Sequence, residues 1–126
     1  MSLSIQTRRQ GERETVITLH GEFDYATAQD VRGAISAVLG PRDVDVIIVE
    51  LAGVTFLDST GVGTLVVARR ICSDLEVELR VSDPNPFISK LFTVVGVAEV
   101  LGVPLAPGVR QRLPRQRAET PVSRVA

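Results

Sequence analysis

The residues most able to support chemistry lie in one short segment near the middle of the chain. Asp58, Ser59 and Thr60 are consecutive there, and Gly61 and Gly63 follow closely. Asp, Ser and Thr are all favoured at helix N-caps, where a side-chain oxygen accepts a backbone N–H. A helix N-terminus also tolerates phosphate, because its free N–H groups and the positive end of its dipole attract anions. The segment therefore predicts either a plain helix cap or a serine that can be phosphorylated without loss of the helix.

Ser59 could instead be the nucleophile of a small hydrolase, which requires a general base beside the hydroxyl group. The sequence has a single histidine, His20, and the residues around Ser59 do not match Gly-x-Ser-x-Gly. One histidine and one cysteine, Cys72, are too few for a clustered metal site. We therefore expect no catalytic residues, no metal and no cofactor, with a structural role for His20 and a small buried side chain at Cys72.

The segment around Ser59 joins an apolar strand to a helix. Residues 44–51 contain an unbroken run of β-branched side chains, typical of a central strand buried on both faces. The pattern then predicts a loop over 52–58 and a helix over 60–73 that is apolar on more than one side. We expect this helix to contact both the sheet and a neighbouring helix. In α/β proteins, ligands and partners usually meet the carboxyl end of such a strand.

The other segments alternate between strand and helix patterns. Further strands are predicted at 3–9, 15–20 and 75–81, and further helices at 25–39 and from Asn85 to Gly96. The first two strands are close enough to form an antiparallel hairpin, whereas the later strands are separated by helices. We therefore predict a single α/β domain with a mixed sheet of four to five strands, flanked by three to four α-helices.

Composition favours one soluble domain followed by a tail. The chain has 126 residues, of which 44% are hydrophobic and 4% aromatic, so we expect one core built mainly from aliphatic side chains. The formal net charge is −1. This value combines 9 basic and 14 acidic residues in 1–109, a net charge of −5, with a net charge of +4 in 110–126. We predict a folded domain over 1–106 and a disordered Pro/Arg-rich tail over 107–126.

The same composition argues against several classes of partner. A near-neutral total, and a tail without aromatic residues, do not favour a nucleic-acid-binding protein. No apolar run reaches the roughly 18–20 residues that a membrane span needs, and the N-terminus does not resemble a signal peptide. We expect a cytoplasmic protein that binds neither nucleic acid nor membrane directly.

The segment from Val46 to Gly63 resembles the signature of STAS domains, specifically that of bacterial anti-sigma factor antagonists. A hydrophobic strand, an aspartate, two hydroxyl residues and a glycine that opens a helix follow one another as in that family. The sequence from Gly21 to Asp24, followed by Thr27, resembles the family's other motif, and residues 87–101 resemble its last helix. The resemblance covers roughly residues 3–105 and excludes the tail.

Two residues depart from the family pattern. Glu50 stands where the family usually has Asp or Asn, and Phe23 stands where it more often has Leu. Both changes are mild, and they bear on details of the partner-binding surface.

The resemblance implies a partner-switching protein that acts in transcription regulation and the stress response. In that family the serine after the aspartate, here Ser59, is phosphorylated by a serine kinase that is also the anti-sigma factor. The unphosphorylated antagonist binds this kinase and releases the sigma factor, whereas the phosphorylated antagonist does not bind. A PP2C-type phosphatase resets the switch.

The residues expected at the partner-binding surface each have a structural alternative. Asp24 could share the face of Ser59 or only cap the helix from 25, and Asp58 could orient the Ser59 hydroxyl or only cap its own helix. The glycines could admit a partner backbone or only allow close helix packing. The partner-binding set is therefore Asp24, Asp58, Thr60, Gly61 and Gly63.

Two other functions stay open. The chain could be a STAS subunit of another assembly, such as a stress-signalling complex or a lipid transporter. If it is a transporter subunit, it should co-purify with membrane components. It could also be the small hydrolase considered above, in which case an activated phosphonate probe would label Ser59.

Overall fold

The computed structural model describes residues 2–82 and, beyond them, Asn85, Pro86, Ile88, Lys90 and Phe92. These residues form four strands and two helices. In chain order the elements are β1 (Leu3–Arg9), β2 (Glu14–Phe23), α1 (Ala28–Leu39), β3 (Val46–Leu57), α2 (Ser59–Asp74) and β4 (Glu78–Ser82).

The sheet has the spatial order β1-β2-β3-β4. β1 and β2 form the predicted antiparallel hairpin, with Ile5 opposite Leu19. β2 pairs in parallel with β3, and β3 pairs in parallel with β4. Each parallel pair is joined by a helix, as a crossover connection requires. The predicted mixed sheet is confirmed, and its first strand is the hairpin edge.

One hydrophobic core lies between the sheet and the helices. α1 and α2 contact each other, so both cover the same face of the sheet. This arrangement follows from the right-handed crossovers that parallel strands prefer. The core contains few aromatic residues, Phe23 among them, and many aliphatic ones, including Ile17, Leu19, Val31, Ile47, Val49, Leu51 and Leu65.

β3 is longer and less buried than the sequence predicts. It continues through the predicted loop over 52–58 as far as Leu57, so that it leads almost directly into α2. Its residues alternate between buried and half-buried up to Leu51. The expectation of burial on both faces is wrong, because both helices cover one face and leave Ile48 and Glu50 half-buried on the other.

The structure describes two helices, fewer than the three to four that the sequence predicts. α1 and α2 are the helices that join the parallel strand pairs β2–β3 and β3–β4. The predicted helix from Asn85 to Gly96 lies mostly outside the described residues. The positions described within it, Pro86, Ile88, Lys90 and Phe92, have helical backbone. The predicted tail over 107–126 also lies outside the described residues.

Asn85 joins this helical segment to β3. Its side-chain oxygen accepts a hydrogen bond from the backbone N–H of Ile88 at 2.9 Å, as expected for an N-cap residue. Its side-chain amide donates to the carbonyl oxygen of Val54 at 2.7 Å. The same side chain therefore caps the segment and fixes it beside the last part of β3.

Aspartate is a good N-cap residue, but we expect Asn85→Asp to lower the free energy of unfolding. An aspartate keeps the capping acceptor, but it replaces the amide donor with a carboxylate oxygen facing the Val54 carbonyl. The expected loss is about 1–3 kcal/mol in the free energy of unfolding, the cost of an unsatisfied and repelled polar group. Urea denaturation measures it. Asn85→Ser is the control that keeps a cap without the repulsion, and equal stabilities for Asn85→Asp and wild type would contradict this role.

Candidate functional site

The site is built where β3 ends and α2 begins. Asp58 separates the two elements in an extended conformation, with φ −101° and ψ −176°. Its Oδ1 accepts a hydrogen bond from the backbone N–H of Gly61 at 2.9 Å. Asp58 is therefore the N-cap of α2, and it satisfies one of the N–H groups that a helix leaves free at its start.

The second oxygen of Asp58 binds a different part of the chain. Its Oδ2 accepts from the backbone N–H of Tyr25 at 3.0 Å, across 33 positions of sequence. The carboxylate thus joins the first turn of α2 to the turn between β2 and α1. Within the described residues it makes no hydrogen bond to the Ser59 hydroxyl. The geometry therefore favours the capping alternative for Asp58 over the orientation of Ser59.

Asp24 shapes the turn that carries Tyr25. Its side chain is only 6% exposed, and its Oδ1 accepts from the backbone N–H of Thr27 at 3.0 Å. In return, the Thr27 hydroxyl accepts from the backbone N–H of Asp24 at 3.0 Å. α1 begins at Ala28 with Thr27 as its N-cap, so the expectation that Asp24 caps a helix from residue 25 is wrong. Asp24 closes the preceding turn instead.

Ser59 is the first residue of α2, and its side chain is exposed. Thr60 is half-buried beside it, and its carbonyl oxygen accepts from the Thr64 hydroxyl at 2.7 Å. The two hydroxyl residues that follow Asp58 therefore have different surroundings. Ser59 presents its hydroxyl to solvent above a capped helix N-terminus.

Two exposed aromatic side chains, which the sequence does not predict at the site, lie on the two segments that meet at Asp58. Tyr25 is 80% exposed although the backbone N–H of Tyr25 is held by Asp58. Phe56 is 42% exposed near the end of β3, next to the buried Leu57. The signal for Phe56 lay in the strand alternation, which the predicted loop over 52–58 concealed. For Tyr25 the signal was an aromatic residue directly after a turn-forming aspartate.

Gly61 and Gly63 occupy contrasting surroundings on the same helix. A Cβ atom built on Gly61 would lie 2.5 Å from Leu57 Cδ1 and 2.8 Å from the carbonyl oxygen of Phe23. Gly61 therefore allows α2 to pack against the end of β2, which is the structural alternative considered for it. A Cβ atom on Gly63 would meet no atom within 4 Å. Gly63 leaves open space on the surface.

The pattern of strand, capped helix and buried glycine agrees with the comparison to known families. The sequence profile of the STAS domain matches residues 4–112. This chain belongs to the STAS domain family. It is 35% identical over 86 residues to the anti-sigma F factor antagonist of Lysinibacillus sphaericus, an alignment that covers 68% of this chain and 74% of that protein.

Solved structures agree with this assignment. The anti-sigma factor antagonist SpoIIAA in its unphosphorylated form superposes with a TM-score of 0.66 and 26% identity, covering 76% of this chain and 84% of that one. The Bacillus cell fate determinant SpoIIAA in its phosphorylated form gives a TM-score of 0.62 and 26% identity, covering 76% of this chain and 86% of that one. This STAS domain is thus similar to anti-sigma factor antagonists in sequence and in fold.

A groove runs between α1 and α2 of this STAS domain, with a volume of about 410 Å³. Its lining is mostly apolar and includes Val67 and Ile71, which are 54% and 49% exposed. Arg32 is the one charged residue in the lining. The prediction that α2 is apolar on more than one side, and contacts both the sheet and a helix, is confirmed.

The histidine and the cysteine lie away from the start of α2. The His20 ring packs against Gly53, where any Cβ atom would collide with it. Cys72 is buried in the core, and this burial raises the pKa of its thiol, which favours the neutral form. The described residues contain no group of three or more His, Cys, Asp or Glu that could hold a metal ion. Among these residues there is also no helix long and apolar enough to cross a membrane.

We expect Asp58→Ala to lower the free energy of unfolding by about 1–3 kcal/mol, because it removes a helix cap and the contact with Tyr25. Asp58→Asn should lose less, since asparagine caps equally well but its amide nitrogen cannot accept from the Tyr25 N–H. Urea denaturation of the three proteins gives the order. The difference between wild type and Asp58→Asn measures the contact with Tyr25, and no loss in Asp58→Asn would show that this contact contributes nothing. Equal losses for the two variants would show that the helix cap contributes nothing.

The two glycines provide a matched pair on one helix. Gly63→Ala should raise the free energy of unfolding by about 0.5–1 kcal/mol, because alanine is the better helix former and its methyl group meets no atom. Gly61→Ala should lower it, because the methyl group collides with the Phe23 carbonyl and with Leu57. Thermal unfolding monitored by circular dichroism separates them. A gain in stability for both variants would contradict the close packing at Gly61.

Proposed function

We propose that this STAS domain is an anti-sigma factor antagonist regulated by phosphorylation at Ser59. In its unphosphorylated form it binds an anti-sigma factor that is also a serine kinase, and this binding releases the sigma factor. Phosphorylation ends the interaction, and a PP2C-type phosphatase restores it in the cytoplasm. The observation that carries the proposal is the exposed Ser59 hydroxyl at the first position of a helix that Asp58 already caps.

The position of Ser59 suits a reversible phosphate. A kinase needs an accessible hydroxyl group, and the Ser59 side chain is exposed. A phosphoserine adds about −1.5 to −2 charges at neutral pH, which the positive end of the helix dipole stabilises. Because Asp58 keeps the cap, the helix need not rearrange. The modification therefore alters the surface and preserves the fold.

The surface around Ser59 supports recognition by a protein partner. Tyr25 is bound to Asp58 through its backbone N–H, and Phe56 precedes Asp58 by two positions. Both expose aromatic side chains, and exposed aromatic residues commonly anchor interfaces. Residues 1–109 already carry a net charge of −5, so added phosphate charge opposes binding to an acidic or closely packed partner surface.

The remaining predicted site residues have different parts in this proposal. Asp24 and Asp58 hold the backbone beneath the surface in place. Asp24 is buried, and Asp58 accepts hydrogen bonds from two backbone N–H groups. Gly61 sets the distance of α2 from β2. Thr60 and Gly63 line the groove beside Ser59 and are open to a partner.

A hydrolase is less well supported by the position of the histidine. His20 pairs with Gly53 of β3, six positions before Ser59, and packs against that glycine. A general base has to lie within hydrogen-bond reach of its nucleophile, directly or through one water. We therefore propose a regulatory protein rather than an enzyme.

Incubation with a cognate anti-sigma kinase and ATP should add one phosphoryl group, detected as an increase in intact mass. Ser59→Ala should abolish the increase, because it removes the exposed hydroxyl group. Thr60→Ala is the matched control and should leave it intact, since Thr60 is half-buried. Phosphorylation that persists in Ser59→Ala and disappears in Thr60→Ala would move the site to Thr60.

Partner binding should follow the charge at position 59. In pull-downs from the native cytoplasm, wild type and Ser59→Ala should retain the anti-sigma factor, whereas Ser59→Asp should lose it. Mass spectrometry of the bound proteins identifies the partner. Retention of the same kinase by wild type and by its phosphorylated form would rule out the switch.

A further inference from the structure

The groove between α1 and α2 has a cation at the end where α2 begins. Arg32 on α1 is the single charged residue of its lining, and Thr60 and Gly63 belong to the same lining. Thr60 follows Ser59 directly in the chain. The guanidinium of Arg32 therefore lies on the side of α2 that carries Thr60, Gly63 and Thr64.

The hydrogen bonds of Arg32 place it beside the second turn of α2. Its Nη1 donates to the Thr64 hydroxyl at 3.5 Å, and this hydroxyl donates to the carbonyl oxygen of Thr60 at 2.7 Å. Its Nη2 donates to Oε1 of Gln29 at 2.6 Å. Both partners are neutral, and none of the ion pairs in the described residues includes Arg32. Its positive charge is therefore available to an anion.

Gly63 leaves room for a group between Ser59 and Arg32. On a helix, the side chains of residues i and i+4 are neighbours, so Ser59 lies next to position 63. The Cβ of a helical residue points towards the N-terminus, and a Cβ on Gly63 would meet no atom within 4 Å. The absence of a side chain there opens a path from the Ser59 hydroxyl to the groove.

We propose that Arg32 is the intramolecular counterion of phosphorylated Ser59, reached across the open surface of Gly63. Arginine suits this role, because its planar fork can donate two parallel hydrogen bonds to phosphate oxygens. The inference rests on the proposed function only in taking Ser59 as the modified residue. The guanidinium leaves Gln29 and Thr64, and the phosphoryl group then covers the adjacent end of the groove.

With this contact, phosphorylation changes the shape of the groove as well as the charge of the surface. A free phosphoserine dianion would only repel acidic partners, whereas a paired one also withdraws Arg32 from the surface and closes the groove at one end. The groove therefore differs between the two forms of the protein although the backbone of α2 stays the same.

The test uses the full chain with phosphoserine installed at position 59 during synthesis, so that no kinase is needed. A ³¹P NMR titration gives the second pKa of the phosphate, which is about 6 for ordinary phosphoserine. Because an adjacent opposite charge favours the dianion, Arg32→Gln should raise this pKa by about half a unit or more at an ionic strength of about 0.1 M, where the Debye length is about 10 Å. Gly63→Leu, which fills the path, should raise it similarly.

Arg70→Gln is the matched control, because it removes the same charge from an exposed position in the second half of α2. It should leave the phosphate pKa within about 0.2 units of the wild-type value, since exposed charges beyond a Debye length are screened. Equal shifts for Arg32→Gln and Arg70→Gln would overturn the pairing. The kinase experiment above fails or succeeds separately, because phosphoserine is installed here without it.

Discussion

The Asp58 carboxylate is the interaction on which the arrangement of the site depends. One oxygen caps α2 through Gly61, and the other holds the backbone of Tyr25 in the turn before α1. These two segments are distant in sequence, and the parallel pairing of β2 with β3 brings them to one edge of the sheet. Without the Asp58 carboxylate, the backbone N–H groups of Gly61 and Tyr25 would lose their hydrogen-bond acceptor. Nothing in this contact would then fix the distance between Ser59 and Tyr25.

Close packing beneath the Asp58 carboxylate further restricts the backbone at the start of α2. Gly61 leaves no space for a side chain between α2 and Phe23, and Asp24 is buried in reciprocal hydrogen bonds with Thr27. The surface above is therefore rigid where it carries Ser59 and open where Gly63 and Arg32 meet the groove. Close packing at Gly61 and open space at Gly63 are compatible because the two glycines lie on different sides of α2.

Much of this architecture could be predicted from the sequence, because periodicity and turn residues are local properties. The patterns of the sequence predict the hairpin, the mixed sheet and the helix that follows Asp58, and the structure contains all three. The sequence does not predict the extension of β3 to Leu57, because glycine at position 53 is disfavoured in strands and only the pairing with residues 20–23 of β2 holds this part of the chain extended. Asp24 was assigned to the wrong structure, since a buried reciprocal turn and a helix cap use the same residue types. The bond from Tyr25 to Asp58 and the position of Arg32 depend on tertiary packing, which no local pattern encodes.

The hydrogen bond from Tyr25 to Asp58 spans 33 positions and exists only after β2 and β3 have paired. Contacts of this range form late, because the chain has to lose loop entropy before they return any energy. An unfolded or nicked chain contains the same serine in the same local sequence, but it has neither the fixed helix start nor the backbone of Tyr25 held at Asp58. A protein that recognises Tyr25 and Ser59 together therefore distinguishes finished molecules from nascent or damaged ones, which a linear peptide motif cannot do.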